Sequence, residues 1–207
     1  MNAKFVSNSH ESARMFKSGL LESLSKVHFT VPLFIFIPII AYFLWRAFQV
    51  RTGWPGFSLS LLVGVLFWTL TEYMLHRFVF HFEPSSKLGQ RMHFIFHGVH
   101  HDFPNDSLRL VMPPSVSLPL ATAFYFLFYA VLPSVYLYGF FAAFLAGYLF
   151  YDISHYALHH GHFKSAFWKK LKQHHMLHHY SDSTKGYGVS SALWDKIMKS
   201  DFNKNGN

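Results

Sequence analysis

The 207-residue sequence contains no cysteine. Disulfides, thiolate metal sites and thiol catalysis are therefore excluded. Charge is scarce as well. Only 14% of residues are Asp, Glu, Lys or Arg, against roughly 25% in a soluble domain. No P-loop, dinucleotide-type glycine motif or Ser–His–Asp order occurs, so the common phosphate-cradling and serine-nucleophile chemistries lack their residues. The first thirty residues hold no apolar core followed by a small-residue cleavage site, and no signal peptide is read there. The formal charge of +8 would suit nucleic acid, but the long apolar runs point to a bilayer, and no nucleic-acid partner is expected.

What the sequence does hold is apolar and aromatic, at 51% and 20% of residues respectively. Four stretches approach the ~20 residues that cross a bilayer as a helix: about 31–50, 57–75, 115–132 and 135–158. They predict an all-α integral membrane protein of two helical hairpins. Residues 1–30 form a polar, mildly basic segment, with Leu20, Leu21, Leu24 and Val27 at helical spacing. The single membrane domain is expected over 31–207, with a polar cap from about 76–112 and 159–207. Pro38 should kink the first span. The turn is placed at Arg51–Gly56, with Trp54 at interface depth. Cap helices are predicted over about 87–99 and 165–180, with a short closing helix near 193–198. Small residues four apart, Ala142/Ala146 and Ala143/Gly147, would permit close helix contact in lipid.

Sixteen histidines are several times a usual share. Ten fall into a repeated pattern: His76 and His81, then His97, His100 and His101, then His155 and His159, then His175, His178 and His179. On a helix, positions i, i+3 and i+4 share a face. His100 and His101 lie about 100° apart, so adjacent rings can lean toward two different ions. One structural zinc needs four ligands; ten imidazoles suit two metals, about five on each. His155 and His159 share a face directly. His76 and His81, five apart, share one only if the helix ends between them, and Phe82-Glu83-Pro84 suggests that it does. His93, His160 and His174 are candidate neighbours of the site, and His175 is preferred over His174 because it repeats the 97–100–101 spacing. Glu72 and Asp152 lie close to His76 and His155 in sequence. Buried acids near a membrane interior are costly and usually functional, and metal-bound histidines commonly give their other ring N–H to a carboxylate. The alternative for both is an ordinary buried carboxylate bonded to an Arg or Tyr. His10 and His28 read as ordinary surface histidines.

Two hairpins place both termini and all four histidine groups on one side. Arg46 and Arg51 lie on the other side, and the remaining sixteen of the 18 Lys and Arg lie with the histidines. The positive-inside rule then puts the histidines in the cytosol. Imidazole suits zinc, copper, iron and nickel alike, so ligand type does not choose the metal. A metal transporter or storage protein is the reading from another class. It would place polar ligands deep in the spans as a path, whereas these cluster at one end.

With those residues in hand, the sequence resembles the fatty acid 2-hydroxylase family, within the fatty acid hydroxylase and sterol desaturase superfamily. The matching stretches are EYMLHRFVFH at 72–81, HFIFHGVHH at 93–101, RLVMPP at 109–114, YDISHYALHH at 151–160, HHMLHHY at 174–180 and KGYGVSSALWD at 185–195. The resemblance implies a membrane monooxygenase with two iron ions, for which zinc can substitute in purified protein. It implies hydroxylation at C2 of a fatty acyl chain of ceramide type, with O2 and two electrons. The family's ligands fall on the same ten histidines, and Asp106, Arg109, Asp152, Tyr180 and Asp195 also match family positions. Other superfamily activities (sterol oxidation, acyl desaturation, carotenoid hydroxylation) remain open. Thirty polar residues before the first span cannot hold the cytochrome b5-type domain of many members. An external donor, of cytochrome b5 type or a ferredoxin, is therefore expected. A bacterial inner membrane is expected, or the endoplasmic reticulum membrane for a eukaryotic source.

Overall fold

The computed structural model describes residues 6–7, 9, 11–50 and 52–202. His10 and Arg51 fall outside them. Among the described residues all regular elements are helices, with no strand. Four helices are long and apolar enough to span a membrane: α2 (Thr30–Gln49), α3 (Gly53–Leu75, continuing through a π turn to Phe80), α6 (Pro114–Val131) and α7 (Ser134–His160). A short α1 (Gly19–Leu24) precedes them. The cap consists of α4 (Lys87–His93), a second π turn (Phe94–Gly98), α5 (Val99–Asp102), α8 (Ala166–Tyr180) and α9 (Leu193–Ile197). The protein is a multi-pass membrane protein.

The turn between α2 and α3 is tighter than the sequence suggests. It closes at Gly53, whose φ of +74° takes the left-handed conformation that glycine adopts without penalty. Trp54-Pro55-Gly56 already belongs to α3. Proline is tolerated there because the first-turn N–H groups have no intrahelical partner. Pro38 lies within a continuous α2. Pro113-Pro114 starts α6 as its fixed φ favours, and Ser86 caps α4 by accepting the Gly89 N–H at 3.1 Å.

The core lies along α7, which is buried over 61% of its apolar window while α2 and α6 mostly face outward. Phe140, Phe141, Phe144 and Tyr148 pack against Phe36 of α2, Trp68 of α3 and Phe128 of α6. Bulk on one helix meets small residues on the next. Trp68 sits where a side chain on Gly147 would be, and the Phe140 carbonyl and Ala143 methyl sit where one on Gly64 would be. Ala143 and Gly147 thus face a helix; Ala146 is exposed. Close approach of this kind replaces the hydrophobic drive that lipid cannot supply. It also brings the ends of α3 and α7 beneath the cap, where the histidines lie.

Candidate metal centre

The ten histidines of the repeated pattern form two sets of five. One holds His76, His81, His97, His101 and His178; the other holds His100, His155, His159, His175 and His179. Within each set the donor nitrogens lie within 4.8 Å of one another. The partition has a two-fold logic. Each set takes the pair at the end of one span, an i,i+4 pair from one cap helix, and the odd histidine of the other cap helix. His97 and His101 thus join His178, while His175 and His179 join His100. Neighbouring residues on one helix point to different sets, as the 100° step requires. The two sets adjoin: the His101 and His179 rings stack with centroids 4.3 Å apart.

His76 and His81 come together by a different route from the one expected. The helix does not end between them. It loosens into a π turn over His76–Phe80, and the His81 N–H bonds the His76 carbonyl five residues back. That turns two side chains five apart onto one face, with Nε2 atoms at 3.2 Å. The second π turn, Phe94–Gly98, carries His97. Such turns are rare and concentrate at functional sites.

Proton arithmetic shows what the sets can hold. His76 Nδ1–H donates to the Tyr187 carbonyl (2.5 Å), His178 Nδ1–H to Lys185 (2.6 Å), and His155 Nδ1–H to Leu110 (3.1 Å). A carbonyl can only accept, so the ring proton sits on Nδ1 and Nε2 keeps its lone pair. In the first set the Nε2 atoms of His76, His81 and His97 form a triangle of 3.2, 3.2 and 3.0 Å. No arrangement of protons satisfies all three sides at once. A cation at the centre does. Nitrogens at right angles around an ion with bonds of ~2.1 Å lie about 3 Å apart. The second set has the same spacing, with His155–His100 and His159–His175 at 2.9 Å and His100–His179 at 3.0 Å. Burial first, then the neighbouring imidazoles, push His97, His100, His175 and His179 well below the ordinary histidine range. They are held neutral, the form a metal ligand needs.

The carboxylates act one bond further out than expected. Glu72 does not touch a histidine. It accepts the N–H groups of Val189 and Ser190 at 2.7 and 2.8 Å, together with the Ser190 hydroxyl. It so fixes the loop whose Tyr187 carbonyl orients His76. Asp152 accepts the Met112 N–H at 3.0 Å and the Tyr148 hydroxyl at 3.3 Å, fixing the loop whose Leu110 carbonyl orients His155. Asp195 is fully buried. It binds the Tyr187 and Gly188 N–H groups, the Ser200 hydroxyl and His174 Nε2 at 2.7–3.1 Å. A side chain on Gly188 would strike the Ser191 carbonyl and the Asp195 carboxylate, which explains a glycine there. His174 therefore lies behind the cluster, on Asp195 and Asp201. His93 stands one turn before His97, outside both sets, and His160 packs its ring on Tyr156. Asp106 pairs with Arg109 at 3.3 Å, and Tyr180 is exposed.

An apolar groove of about 430 Å³ opens on the histidines. His97, His100 and His155 line it together with Leu75 of α3, Val79 and Phe80 of the π turn, and Val116 and Leu120 of α6. The family model described as fatty acid hydroxylase matches residues 61–200, which include every residue of the two sets.

The chain belongs to the fatty acid hydroxylase family. It is 38% identical over 189 residues to a dihydroceramide fatty acyl 2-hydroxylase of Arabidopsis thaliana, covering 91% of this chain and 79% of that protein. It is 40% identical over 190 residues to the ceramide very long chain fatty acid hydroxylase of Saccharomyces cerevisiae, covering 90% of this chain and 49% of the relative. Against the fatty acid 2-hydroxylase of Homo sapiens it is 34% identical, over 88% of this chain and 55% of that one. This family member therefore spans about half of its yeast and human relatives and most of the plant one. Among solved structures, scs7p, in which only the hydroxylase domain is visible, superposes with a TM-score of 0.86 at 38% identity, over 91% of this chain and 72% of that one. The helical arrangement described above is thus shared with that hydroxylase domain.

Proposed function

We propose that the protein is a membrane fatty acyl 2-hydroxylase whose ten clustered histidines hold two iron ions. The observation that carries this is the pair of five-histidine sets beside an apolar groove that His97, His100 and His155 line. Metal ligands gathered at the ends of two membrane spans and in the cap above them, beside an apolar groove, suit oxidation of a lipid tail. The relatives' names supply the position, C2, and the class, the fatty acyl chain of a ceramide or dihydroceramide. The overall reaction is C2–H plus O2, two electrons and two protons, giving C2–OH and water. Bound at the two sets, the ions would supply oxygen activation. The two electrons come from an external donor of cytochrome b5 or ferredoxin type.

The chain's own part is positional. Leu110, Lys185 and Tyr187 carbonyls fix ring tautomers; Glu72, Asp152 and Asp195 fix the loops bearing those carbonyls or packed beside them. The groove's apolar walls exclude water and lay the acyl chain with its carboxyl-proximal end at His97, His100 and His155. Sixteen of the 18 Lys and Arg lie on the histidine side, which supports a cytosolic centre in either a bacterial inner membrane or an endoplasmic reticulum membrane.

The experiment is expression in a host that lacks 2-hydroxy lipids, wild type beside His100→Ala, with mass spectrometry of hydrolysed lipids. 2-Hydroxy acyl chains should accumulate with the wild type alone. Unchanged lipids from metal-loaded protein with a working reductant would count against the proposal.

A further inference from the structure

The groove is not closed by the spans and cap alone. Part of its wall comes from the segment before the first span: Met15, Phe16, Leu21 and Leu24 line the same groove as His97, His100 and His155. All four lie outside residues 61–200, the stretch matched to the family model.

That segment is folded around one carboxylate. Glu22 Oε2 accepts the N–H groups of both Met15 and Phe16 at 3.0 Å. Its other oxygen pairs with Arg109 at 2.6 Å and Lys26 at 3.2 Å. The Arg109 side chain is 2% exposed and Glu22 12%, so this pair is shielded, and losing one partner would strand the other. Arg109 also donates to the Ala13 carbonyl and to Ser25 Oγ, and Asp106 accepts the Ala13 N–H at 3.2 Å. The Val27 N–H donates to the Leu108 carbonyl at 2.9 Å. Residues 13–27 are thus tied at both ends and between them to the loop at 106–110. That loop leads into Leu110, whose carbonyl orients His155. Such tethering is more than a polar tail needs, and it places apolar side chains into the groove.

We infer that residues 12–26 are a working wall of the acyl site and determine which acyl chains reach the histidines. Met15, Phe16, Leu21 and Leu24 are the specificity-determining contacts, and Glu22 is the positioning residue that holds them. The inference rests on the hydroxylase reading and adds to it a selecting element outside the histidine-bearing core. Leu21 and Leu24 are about half exposed, so larger side chains can be accommodated there without rebuilding the fold.

The test uses the full chain in the host described above, and reads the length distribution of 2-hydroxy acyl chains rather than their amount. Leu24→Trp and Phe16→Trp should narrow the groove. The ratio of longest to shortest products should then fall by about tenfold, the discrimination that a methylene gives in an apolar pocket. Glu22→Gln sets an amide against Arg109 and should flatten the length preference instead. Wild-type metal content in each variant shows that the fold is intact. An active wild type with the same length distribution in all three variants overturns the inference. A wild type that makes no 2-hydroxy chains sinks the underlying hydroxylase reading instead.

Discussion

His76 and His81 hold their Nε2 atoms 3.2 Å apart across a π turn, although an α-helix would put them on different faces. The extra residue in that turn is what makes a five-residue spacing equivalent to the four-residue spacing of His155 and His159. Removing one residue restores ordinary helical spacing and should keep the rings together; adding one should not. We expect deletion of Phe78, an exposed residue, to retain metal in the first set. Insertion of an alanine after Phe78 should drop stoichiometry from about two ions per chain to about one. Elemental analysis of purified protein decides it. Equal loss in both variants would show that the turn has no such role.

Glu72 and Asp152 act on separate loops, so their removal should be felt by separate sets. In Glu72→Ala, two backbone N–H groups and a hydroxyl lose their buried acceptor. Each stranded group costs about 1–3 kcal/mol, and the Tyr187 carbonyl loses its support. Metal affinity of the first set should weaken by about 10–100-fold while the second holds. Asp152→Ala should do the reverse through Leu110. Chelator competition, following two release phases, measures this. Loss from both sets in either variant would mean that the carboxylates serve the fold as a whole.

Much of this was legible in the sequence because helical spacing converts directly into direction. The i,i+4 pairs 97/101, 155/159 and 175/179, and the divergence of 100 from 101, follow from 3.6 residues per turn. The spans follow from apolar length. Three features do not follow. A π turn has no composition of its own, so His76 and His81 looked like a helix end. The partners of the ring N–H groups are backbone carbonyls, which every residue carries, so Leu110, Lys185 and Tyr187 give no sign of their role. The segment at 12–26 shows leucines at helical spacing in a polar stretch, but only its distant partner Arg109 reveals where it lies.

Gly147 tests the packing that carries the site. A side chain there meets the Trp68 ring, where α3 and α7 pack closely. Both helices end in ligands, so pushing them apart should hurt stability and metal binding together. Gly147→Leu should cost about 1–3 kcal/mol, the range for overpacked cores. Ala146→Leu, at an exposed neighbour, should be nearly neutral. Thermal unfolding in detergent separates the two, and equal effects would mean that the interface is looser than described.

The tether at Glu22 should respond to acid. Burial raises its pKa, but the Phe16 and Met15 N–H groups, Lys26 and Arg109 outweigh that and bring it to about 2, from 4.5 when free. A depressed carboxylate stabilises the folded state above its unfolded value, and the contribution fades as pH falls toward its folded one. The tether is therefore at full strength above pH 4.5 and weakens from there down to about 2. Arg109 and Lys26 face the same carboxylate, and Asp106 pairs with Arg109 from the other side. Hydrogen exchange at the Met15 and Phe16 amides, corrected for intrinsic rate, should accelerate as pH falls from 4.5 to about 2. In Glu22→Gln the exchange should already be fast at pH 6 and show no step. A step of the same size in that variant would assign the transition to another group.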